Sequence, residues 1–456
     1  MIGLDWSGSD RTVVMRRSAR NLGKVPVYRT TINCQNPSCI NKQNLVPYTE
    51  YPYDQRQEVC GHPWPGNRPR NGELMRRTLY SSDHDAFREL VRTYLEKEVV
   101  PHFEQWRQDT QVPRSLFLEL GRLGLLGMAI PTEFGGGGQD DYRYNAVIQE
   151  ETARAGVTLG GLRTHLDVVL PYFLGLADDA QQARWFPGLA DGRLYSAIAM
   201  SEPGTGTDLA GVRTRATLDG SEYVLNGAKT FITGGLHADL VIVLARTSTE
   251  SGDRRSGLSL LVVEKGMPGY TVGRKLDKLG LTVQDTVELA FSDVRVPAEN
   301  VLGEAGRAFS YLTRNLAQER LAIAVGSVAQ ARAAIDTTVS YVQTRTAFGQ
   351  PIAQFQNTKF ELAAMAAELE AGQAMLDTAV LALVEHELDP VDAAKVKLFC
   401  TEMQGRVVDR CLQLHGGYGY VLEYPIARLY ADARVARIYG GTSEVMKLII
   451  SKSLGL

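Results

Sequence analysis

Hydrophobic residues recur at helical spacing from about residue 81 onward. Ser82 and Asp83 are capping candidates for a segment whose apolar residues share one helical face: Phe87, Leu90, Val91, Tyr94 and Leu95. The same periodicity returns in three later stretches: residues 115–125, 142–155 and 178–186. The pattern therefore predicts a mostly helical N-terminal domain over residues 81–194.

The pattern changes near Tyr195, where short apolar runs and tight-turn pairs replace the helical periodicity. Asp219-Gly220 and Asn226-Gly227 are turn dipeptides, and residues 240–244 and 258–263 are apolar runs typical of strands. These features predict a central β domain over residues 195–301. Long helical periodicity resumes after Val301, which predicts a C-terminal α bundle over residues 302–456.

The predicted fold class is mainly α with a central β domain. Its α, β, α order differs from the alternating strands and helices of a doubly wound nucleotide-binding fold. At 456 residues and 44% hydrophobic content the chain is long enough to build a large core. The sequence contains no internal repeat and no low-complexity tract.

Composition narrows the range of partners and compartments. A formal net charge of −3 gives no support to nucleic-acid binding, and no stretch approaches the about 20 apolar residues of a membrane span. Five widely separated cysteines do not form a disulfide framework and fit a reducing compartment. We expect the bacterial cytoplasm, with the mitochondrial matrix as the alternative.

Residues 1–80 differ from the rest, with 12 Lys and Arg against 6 Asp and Glu. They hold a C-x4-C and a C-x-H spacing that could supply four zinc ligands: Cys34, Cys39, Cys60 and His62. The first spacing is longer than the commonest two residues. A zinc ribbon therefore competes with a disordered tail, a basic import leader and a mis-set start codon.

Two glycine-rich loops are candidates for binding phosphate groups. Gly135–Gly138 lacks the Lys-Ser/Thr and the preceding strand of a P-loop, so we interpret it as a surface turn. Ala199-Met-Ser-Glu-Pro-Gly-Thr-Gly-Thr-Asp208 combines a proline, two glycines and three hydroxyls where the β domain begins. Such a loop could bind an anion or a heteroaromatic edge.

This loop resembles the flavin-contacting signature of acyl-CoA dehydrogenases, and four further segments match that family in order. They are Lys229-Thr-Phe-Ile-Thr-Gly-Gly235, Arg345-Thr-Ala-Phe-Gly349 with Gln356, Gln413-Leu-His-Gly-Gly-Tyr-Gly419, and Ile438-Tyr-Gly-Gly-Thr-Ser-Glu444. The resemblance runs from about residue 81 to the end of the chain. It implies an α domain, a β-barrel-like domain and a C-terminal four-helix bundle.

The resemblance also implies bound FAD. Ser201 would meet the flavin pyrimidine edge, Phe231 would lie against the isoalloxazine and Thr233 would reach N5, whereas Arg345 and Gln356 would contact the FAD of a neighbouring subunit. The full implied FAD set is Ile198, Met200, Ser201, Gly206, Thr207, Phe231, Ile232, Thr233, Arg345, Phe348, Gln356, Gln413, Leu414, Gly416, Gly417, Thr442, Ser443 and Glu444. The protein would then be a dimer or, more typically, a homotetramer.

The usual catalytic base of the family is a glutamate where this chain has Gly440. Long-chain and isovaleryl members instead place it before an arginine on the first long C-terminal helix, and Gln318-Glu319-Arg320 matches that position. Tyr-Gly-Gly-Thr and Gln-Glu-Arg occur together in the long-chain branch, so that match is closer. Glu319 becomes the implied base, and the implied substrate contacts are Thr207, Ser310, Arg320, Gly440 and Gly441.

The implied reaction is dehydrogenation of an acyl-CoA to the trans-2-enoyl thioester, with hydride transfer to flavin N5. Electrons would pass to an electron-transfer flavoprotein. Alternatives on the same scaffold are an acyl-CoA oxidase, a flavin monooxygenase and a dehydrogenase of carrier-protein thioesters. An alternative of another class is a zinc-binding interaction module joined to an inactive flavin scaffold.

Overall fold

The computed structural model describes Met75, residues 77–249 and residues 253–456, which lie in the compact unit Leu74–Leu456. Its N-terminal part is helical, and large apolar side chains such as Phe117, Phe173 and Trp185 are fully buried there. The helices are α1 (Ser82–Tyr94), α2 (Val100–Asp109), α3 (Arg114–Arg122), α4 (Arg143–Arg154), α5 (Leu170–Leu176) and α6 (Asp179–Ala190). Asp178 caps α6 by accepting a 2.8 Å hydrogen bond from the backbone N–H of Gln181.

A widened helical turn precedes α5 and positions part of the site described below. Thr164–Val169 is π-helical, and Pro171 follows it directly in α5. Proline has no backbone N–H and crowds the carbonyl four residues earlier, so the helix hydrogen bonds must rearrange around it. The carbonyl of Asp167 instead accepts a 3.2 Å hydrogen bond from Nε2 of Gln318. This bond ties the N-terminal helices to the C-terminal ones.

A seven-stranded sheet forms the centre of the fold. Its strands are β1 (Ser196–Ala199), β2 (Arg215–Asp219), β3 (Glu222–Thr233), β4 (Leu240–Arg246), β5 (Leu258–Glu264), β6 (Tyr270–Lys275) and β7 (Thr286–Pro297), in the order β1-β4-β2-β3-β7-β6 with β5 also on β4. β1 runs parallel to β4, and β3 pairs antiparallel with both β2 and β7.

The central strand β4 is buried on both faces. Ile242 and Leu244 belong to the core shared with the N-terminal helices, whereas Val241 and Val243 belong to the core of the sheet itself. Side chains alternate between the two faces of a strand, so a strand covered on both sides is apolar throughout. The sequence Leu-Val-Ile-Val-Leu-Ala meets this requirement.

Long helices form the C-terminal third. They are α7 (Ala308–Thr344), α8 (Gln356–Val384), α9 (Pro390–His415), α10 (Pro425–Ala433) and α11 (Ser443–Ser453), with a short hairpin of β8 (Thr346–Ala347) and β9 (Gln350–Pro351) after α7. α7, α8 and α9 pack on one another, and α10 packs on α7 and α9. Leu321, Met365 and Met403 are fully enclosed between them. The predicted mainly α architecture with a central β domain is confirmed.

The predicted zinc ligands Cys34, Cys39, Cys60 and His62 lie outside the described residues. Within the described part of the chain, no group of three or more His, Cys, Asp or Glu side chains could hold a metal ion. The two cysteines that the structure describes, Cys400 and Cys411, are both buried free thiols. Over the same residues, no helix is long and apolar enough to cross a membrane.

Candidate active site

Glu319 lies on α7, enclosed between the N-terminal helices and the C-terminal bundle. The residue is 6% exposed, and its Oε1 accepts a 3.0 Å hydrogen bond from the hydroxyl of Tyr172 on α5. Gln318, the preceding residue, makes the contact to the Asp167 carbonyl that the widened turn leaves free. Glu319 is therefore held from two sides in a dry setting.

Burial raises the pKa of Glu319 to about 7, because a carboxylate loses its hydration there. The hydrogen bond from Tyr172 and the charges of Arg320 and Arg163 oppose this rise. Burial correspondingly raises the pKa of Tyr172 well above its usual value, so its hydroxyl stays protonated and donates. A carboxyl that titrates near neutral pH is suited to general-base catalysis.

A two-glycine loop packs against α7 one turn beyond Glu319. Gly440 and Gly441 have φ angles of 64° and 93°, a conformation that side chains rarely adopt. A Cβ atom on Gly440 would also come within 2.4 Å of Cδ1 of Ile323. A glutamate at position 440, where much of the family is expected to carry its base, would need a strained backbone and a shift of the Ile323 side chain.

The carbonyl of Gly441 accepts a 2.6 Å hydrogen bond from Nζ of Lys397, a fully buried lysine on α9. Burial lowers the pKa of Lys397 to about 8, and the charge of Arg320 lowers it further. Arg320 is 7% exposed, and its Nε has no hydrogen-bonding partner among the described residues. Lys397 is thus bonded to the glycine loop, and Arg320 lies close enough to Lys397 to lower its pKa.

The N-terminal helices reach this site through Gly161 and Arg163. A Cβ atom on Gly161 would lie 3.1 Å from Cα of Gly234, the residue that follows β3. Nη2 of Arg163 donates a 3.3 Å hydrogen bond to the hydroxyl of Tyr439, which directly precedes Gly440. The end of β3 and the glycine loop therefore meet at the same short segment.

The predicted flavin loop is fixed to β3 by a buried ion pair. Nζ of Lys229 lies 2.9 Å from Oε1 of Glu202 and donates over 3.0 Å to the carbonyl of Met200. Glu202 also accepts hydrogen bonds of 2.8 Å from the backbone N–H groups of Arg213 and Thr214. The backbone N–H of Thr230 donates to the Ser201 carbonyl over 3.0 Å. The first two sequence motifs are thus one structural unit.

Phe231 projects from this unit into solvent. Its φ angle is 62° and its side chain is 69% exposed, where β3 shifts register between Lys229 and Ile232. A bulky residue with positive φ is strained, and such strain clusters at binding and catalytic sites. Ile232 and Ile198 point inward and are buried, whereas Thr233 accepts a 3.3 Å hydrogen bond from Gln284.

A second cleft of about 440 Å³ lies at the far end of α7 and α9. Arg345, Gln413, Leu414, Gly416 and Gly417 line it, so the structure groups these five predicted residues. The Arg345 guanidinium lies 5.2 Å from the centroid of the Tyr418 ring. Next to the cleft, Phe348 has a φ angle of 53° and is 96% exposed, and Gln356 begins α8.

The remaining predicted residues lie at element ends. Thr442 caps α11, Ser443 donates a 2.6 Å hydrogen bond to Glu402, and Glu444 is exposed in the first turn. Gly206 and Thr207 lie on the exposed side of the flavin loop. Ser310 is exposed and donates to the Arg307 carbonyl, and no described contact links it to Glu319.

The sequence analysis missed four residues of the site: Arg163, Asp167, Tyr172 and Lys397. Arg163 and Asp167 are four residues apart and so share a helical face, in a stretch that is otherwise largely apolar. Charges in an apolar helix just before Pro171 were an available signal. Tyr172 and Lys397 gave no such signal, because only packing of distant segments brings them to Glu319 and Gly441.

A buried carboxyl with a pKa raised toward neutral, beside a positive-φ glycine loop and between two helical layers, is the arrangement expected of an acid–base enzyme. Similarity to known proteins identifies the class of enzyme. The models of the acyl-CoA dehydrogenase N-terminal, middle and C-terminal domains match residues 81–193, 197–294 and 306–455.

Individual relatives agree with these matches. The chain is 43% identical over 378 residues to a mitochondrial long-chain specific acyl-CoA dehydrogenase of Sus scrofa, covering 83% of this chain and 88% of that protein. It is 37% identical over 376 residues to an acyl-CoA dehydrogenase of Bacillus subtilis, covering 80% and 96%. The crystal structure of an acyl-CoA dehydrogenase from Geobacillus kaustophilus matches with a TM-score of 0.82 at 42% identity, covering 84% and 100%.

The chain therefore belongs to the acyl-CoA dehydrogenase family of FAD-dependent oxidoreductases. The resemblance drawn from five sequence motifs is confirmed. So are the predicted fold and the class of enzyme.

Proposed function

We propose that this protein dehydrogenates an acyl-CoA between Cα and Cβ, with Glu319 as the base that removes the α proton. The observation that carries the proposal is the buried Glu319 carboxyl, whose pKa is about 7 and which Tyr172 holds in place. An α proton of a thioester is weakly acidic, so a base needs both a raised pKa and fixed geometry. Glu319 combines the two.

The glycine loop supports the other half of this chemistry. As negative charge develops on the thioester carbonyl, a placed backbone N–H can stabilise it, and glycine at 440 keeps that donor. Lys397 holds the loop through the Gly441 carbonyl, and Arg320 adds positive charge beside it. In this chain the base lies on α7 and the carbonyl donor lies on the loop.

The residues present suit FAD. Phe231 offers an exposed aromatic face beside hydroxyl and backbone groups of Ser201 and Thr233, which fits a flat, partly polar ring. The second cleft carries Arg345, whose planar guanidinium can bind a pyrophosphate through paired hydrogen bonds. FAD, when bound, supplies the acceptor for the hydride that leaves Cβ.

The acceptor of the electrons and the thioester carrier are part of the proposal. We assign an electron-transfer flavoprotein and coenzyme A, in a reducing compartment of the cell. An oxidase would instead reduce O₂ at a comparable rate, and a carrier-protein enzyme would require the protein-bound thioester. The zinc-binding alternative predicts a colourless protein that carries zinc through Cys34, Cys39, Cys60 and His62.

The first experiment is anaerobic mixing of the purified FAD-containing protein with acyl-CoAs of four to sixteen carbons. Loss of the oxidised flavin absorbance with at least one of them is expected. No bleaching at any chain length, in protein that retains FAD, contradicts the dehydrogenase function. Assays of the reactive substrate with O₂ and with an electron-transfer flavoprotein then separate oxidase from dehydrogenase.

The second experiment is Glu319→Gln. This variant should retain FAD and bind substrate while kcat falls by roughly three orders of magnitude or more, because the proton acceptor is gone. In the wild type, kcat/KM should rise with pH through an apparent pKa of about 7, since the base must be deprotonated. Glu385→Gln, a change at an exposed carboxyl directly after α8, is the matched control. Full activity of Glu319→Gln would assign the base elsewhere.

A further inference from the structure

Arg163 places a cation within the candidate active site without an ion-pair partner. Its guanidinium lies 5.3 Å from the centroid of the Tyr439 ring and makes one hydrogen bond, the 3.3 Å contact to the Tyr439 hydroxyl. Among the described residues, no carboxylate oxygen lies within 4.0 Å of this guanidinium. A guanidinium carries five N–H donors, so most of its hydrogen-bonding capacity is unused.

Asp167 lies four residues later on the same helical face, but it accepts its hydrogen bonds from other residues than Arg163. Its Oδ1 accepts a 2.8 Å hydrogen bond from Nδ2 of Asn145, and its Oδ2 accepts one of the same length from Nε2 of Gln149. Burial raises the pKa of Asp167 to about 6, with the charge of Arg163 opposing the rise. Asp167 therefore interacts with the charge of Arg163 without a hydrogen bond, because the side-chain amides of Asn145 and Gln149 bind its two oxygens.

Three cationic side chains lie in the region of Glu319: Arg163, Arg320 and Lys397. Each is influenced by a carboxylate at longer range: Asp167 and Glu319 act on Arg163, Glu319 acts on Arg320, and Glu402 and Glu444 act on Lys397. Lys397 donates to the Gly441 carbonyl of the glycine loop that would hold the thioester carbonyl, and Arg320 is near enough to lower the pKa of Lys397. Arg163 approaches that loop through Tyr439, from the N-terminal helices. The remaining N–H groups of Arg163 are therefore available to a second group of the substrate.

An aliphatic acyl chain would not satisfy the hydrogen-bond donors of the Arg163 guanidinium. Covering the free N–H groups of Arg163 with methylenes would remove water from them without replacing its hydrogen bonds, which is costly. A carboxylate would instead accept paired hydrogen bonds from the guanidinium and cancel its charge. The positive charge and the paired N–H groups of Arg163 thus both favour a carboxylate as the ligand.

We infer that Arg163 is a specificity residue and that the preferred substrate is an acyl-CoA whose acyl group itself carries a carboxylate. The inference rests on the proposed function for the identity of the thioester site. The carboxylate would bind Arg163 beside Tyr439, while the thioester carbonyl meets the glycine loop. The long-chain relatives then share the position of the base with this protein but differ from it in substrate.

Binding without turnover tests this directly. The holoenzyme of Glu319→Gln is titrated with hexanoyl-CoA and with adipyl-CoA, which has the same carbon number and a terminal carboxylate. Dissociation constants are read from calorimetry or from the flavin spectrum. Adipyl-CoA is expected to bind about ten-fold more tightly or better, the range of one charge-assisted contact. Suberyl-CoA against octanoyl-CoA repeats the comparison two carbons longer.

Three further variants in the same background locate the effect. Arg163→Met should abolish or reverse the preference for the carboxylated ligand, and Arg163→Lys should keep part of it because the charge remains. Arg122→Met removes an exposed arginine on α3 and should change neither constant. FAD content and circular dichroism show whether each variant is folded, and the lysine variant gives the answer if the methionine variant is not.

Equal or tighter binding of the aliphatic ligands, unaffected by Arg163→Met, overturns the inference. This outcome is distinct from failure of the proposed function, which shows as an absence of flavin bleaching in the wild type with every acyl-CoA. The dissociation constants are measured whether or not turnover occurs, so each claim is decided separately.

Discussion

Tyr172 has two effects on Glu319. The hydroxyl fixes one carboxylate oxygen at 3.0 Å, and it stabilises the ionised form of an otherwise desolvated group. A base that is too strongly desolvated would hold its proton at neutral pH, and one that is too well solvated would be weak. The hydrogen bond from Tyr172, together with the charges of Arg320 and Arg163, therefore limits the rise that burial causes in the pKa of Glu319.

Tyr172→Phe should consequently raise the pKa of Glu319, because the hydrogen bond from Tyr172 lowers it in the wild type. The expected result is a kcat/KM profile whose apparent pKa moves to higher pH, with about ten-fold lower activity at pH 7 and partial recovery at pH 9. Stopped-flow flavin reduction across pH 5.5–9.5 measures this. A profile that keeps its midpoint would show that Tyr172 only fills space. Tyr144→Phe, on α4, is the matched control.

At the scale of elements, β3 carries most of the preorganisation of the flavin loop. Lys229 and Glu202 are both buried, and each side of the ion pair is completed by backbone groups of the loop. Burial lowers the pKa of Lys229 to about 8, while Glu202 opposes that change. A buried ion pair adds little net stability, but loss of one partner leaves an uncompensated charge.

Lys229→Met should therefore destabilise the protein by about 3–5 kcal/mol and release FAD, because Glu202 would remain buried without its cation. Urea unfolding and the flavin content of the purified protein measure the two effects. The double variant Lys229→Met with Glu202→Gln should recover part of the loss. Arg295→Met removes exposed ion pairs with Asp219 and Glu222 on the same sheet and should change the free energy of unfolding little, because solvent screens exposed pairs. Equal losses in the two single variants would contradict this account.

The helices and strands themselves followed from the sequence pattern. β4 is apolar on both faces because it is covered on both, and Asp219-Gly220 marks the turn between β2 and β3 as predicted. The predicted tight turn at Asn226-Gly227 is wrong, because both residues lie inside β3, where the pairing with β7 shifts register. The assigned domain boundaries at 194, 195, 301 and 302 stay a prediction. The π-helical segment Thr164–Val169 was not predicted. The carbonyl of Asp167 in this segment accepts a hydrogen bond from Gln318, which is distant in the sequence.

At the scale of the whole molecule, apolar side chains around the second cleft remain in solvent. Phe348, Phe360 and Tyr420 are 96%, 62% and 91% exposed, which is unusual for aromatic residues grouped on adjoining elements. Phe231 is likewise exposed at the first motif. These surfaces support the proposal of a symmetric homo-oligomer in which two chains complete each FAD site.

Complementation between two inactive variants tests this assembly. Phe231→Ala alters the flavin face of a site, and Arg345→Gln alters the cleft that we assign to the partner's FAD. Each homo-oligomer should lose most of its FAD. In hetero-oligomers from co-expression, one site of each pair contains both substitutions and the other contains neither, so FAD content should recover. Absence of recovery in verified hetero-oligomers, or a monomer by sedimentation, would place the whole site within one chain.

The order of the elements, the family and the match of Glu319 to the base position of the long-chain branch could all be predicted from the sequence. Periodicity and turn chemistry are local, and motifs keep their order along the chain, so these features are readable in one dimension. The pKa of Glu319, in contrast, could not be predicted from the sequence. Its pKa depends on burial and on Tyr172, Arg163 and Arg320, and a side chain at Gly440 would need positive φ and a shift of Ile323. Desolvation and steric exclusion are properties of packed neighbours, and they arise only when distant segments meet.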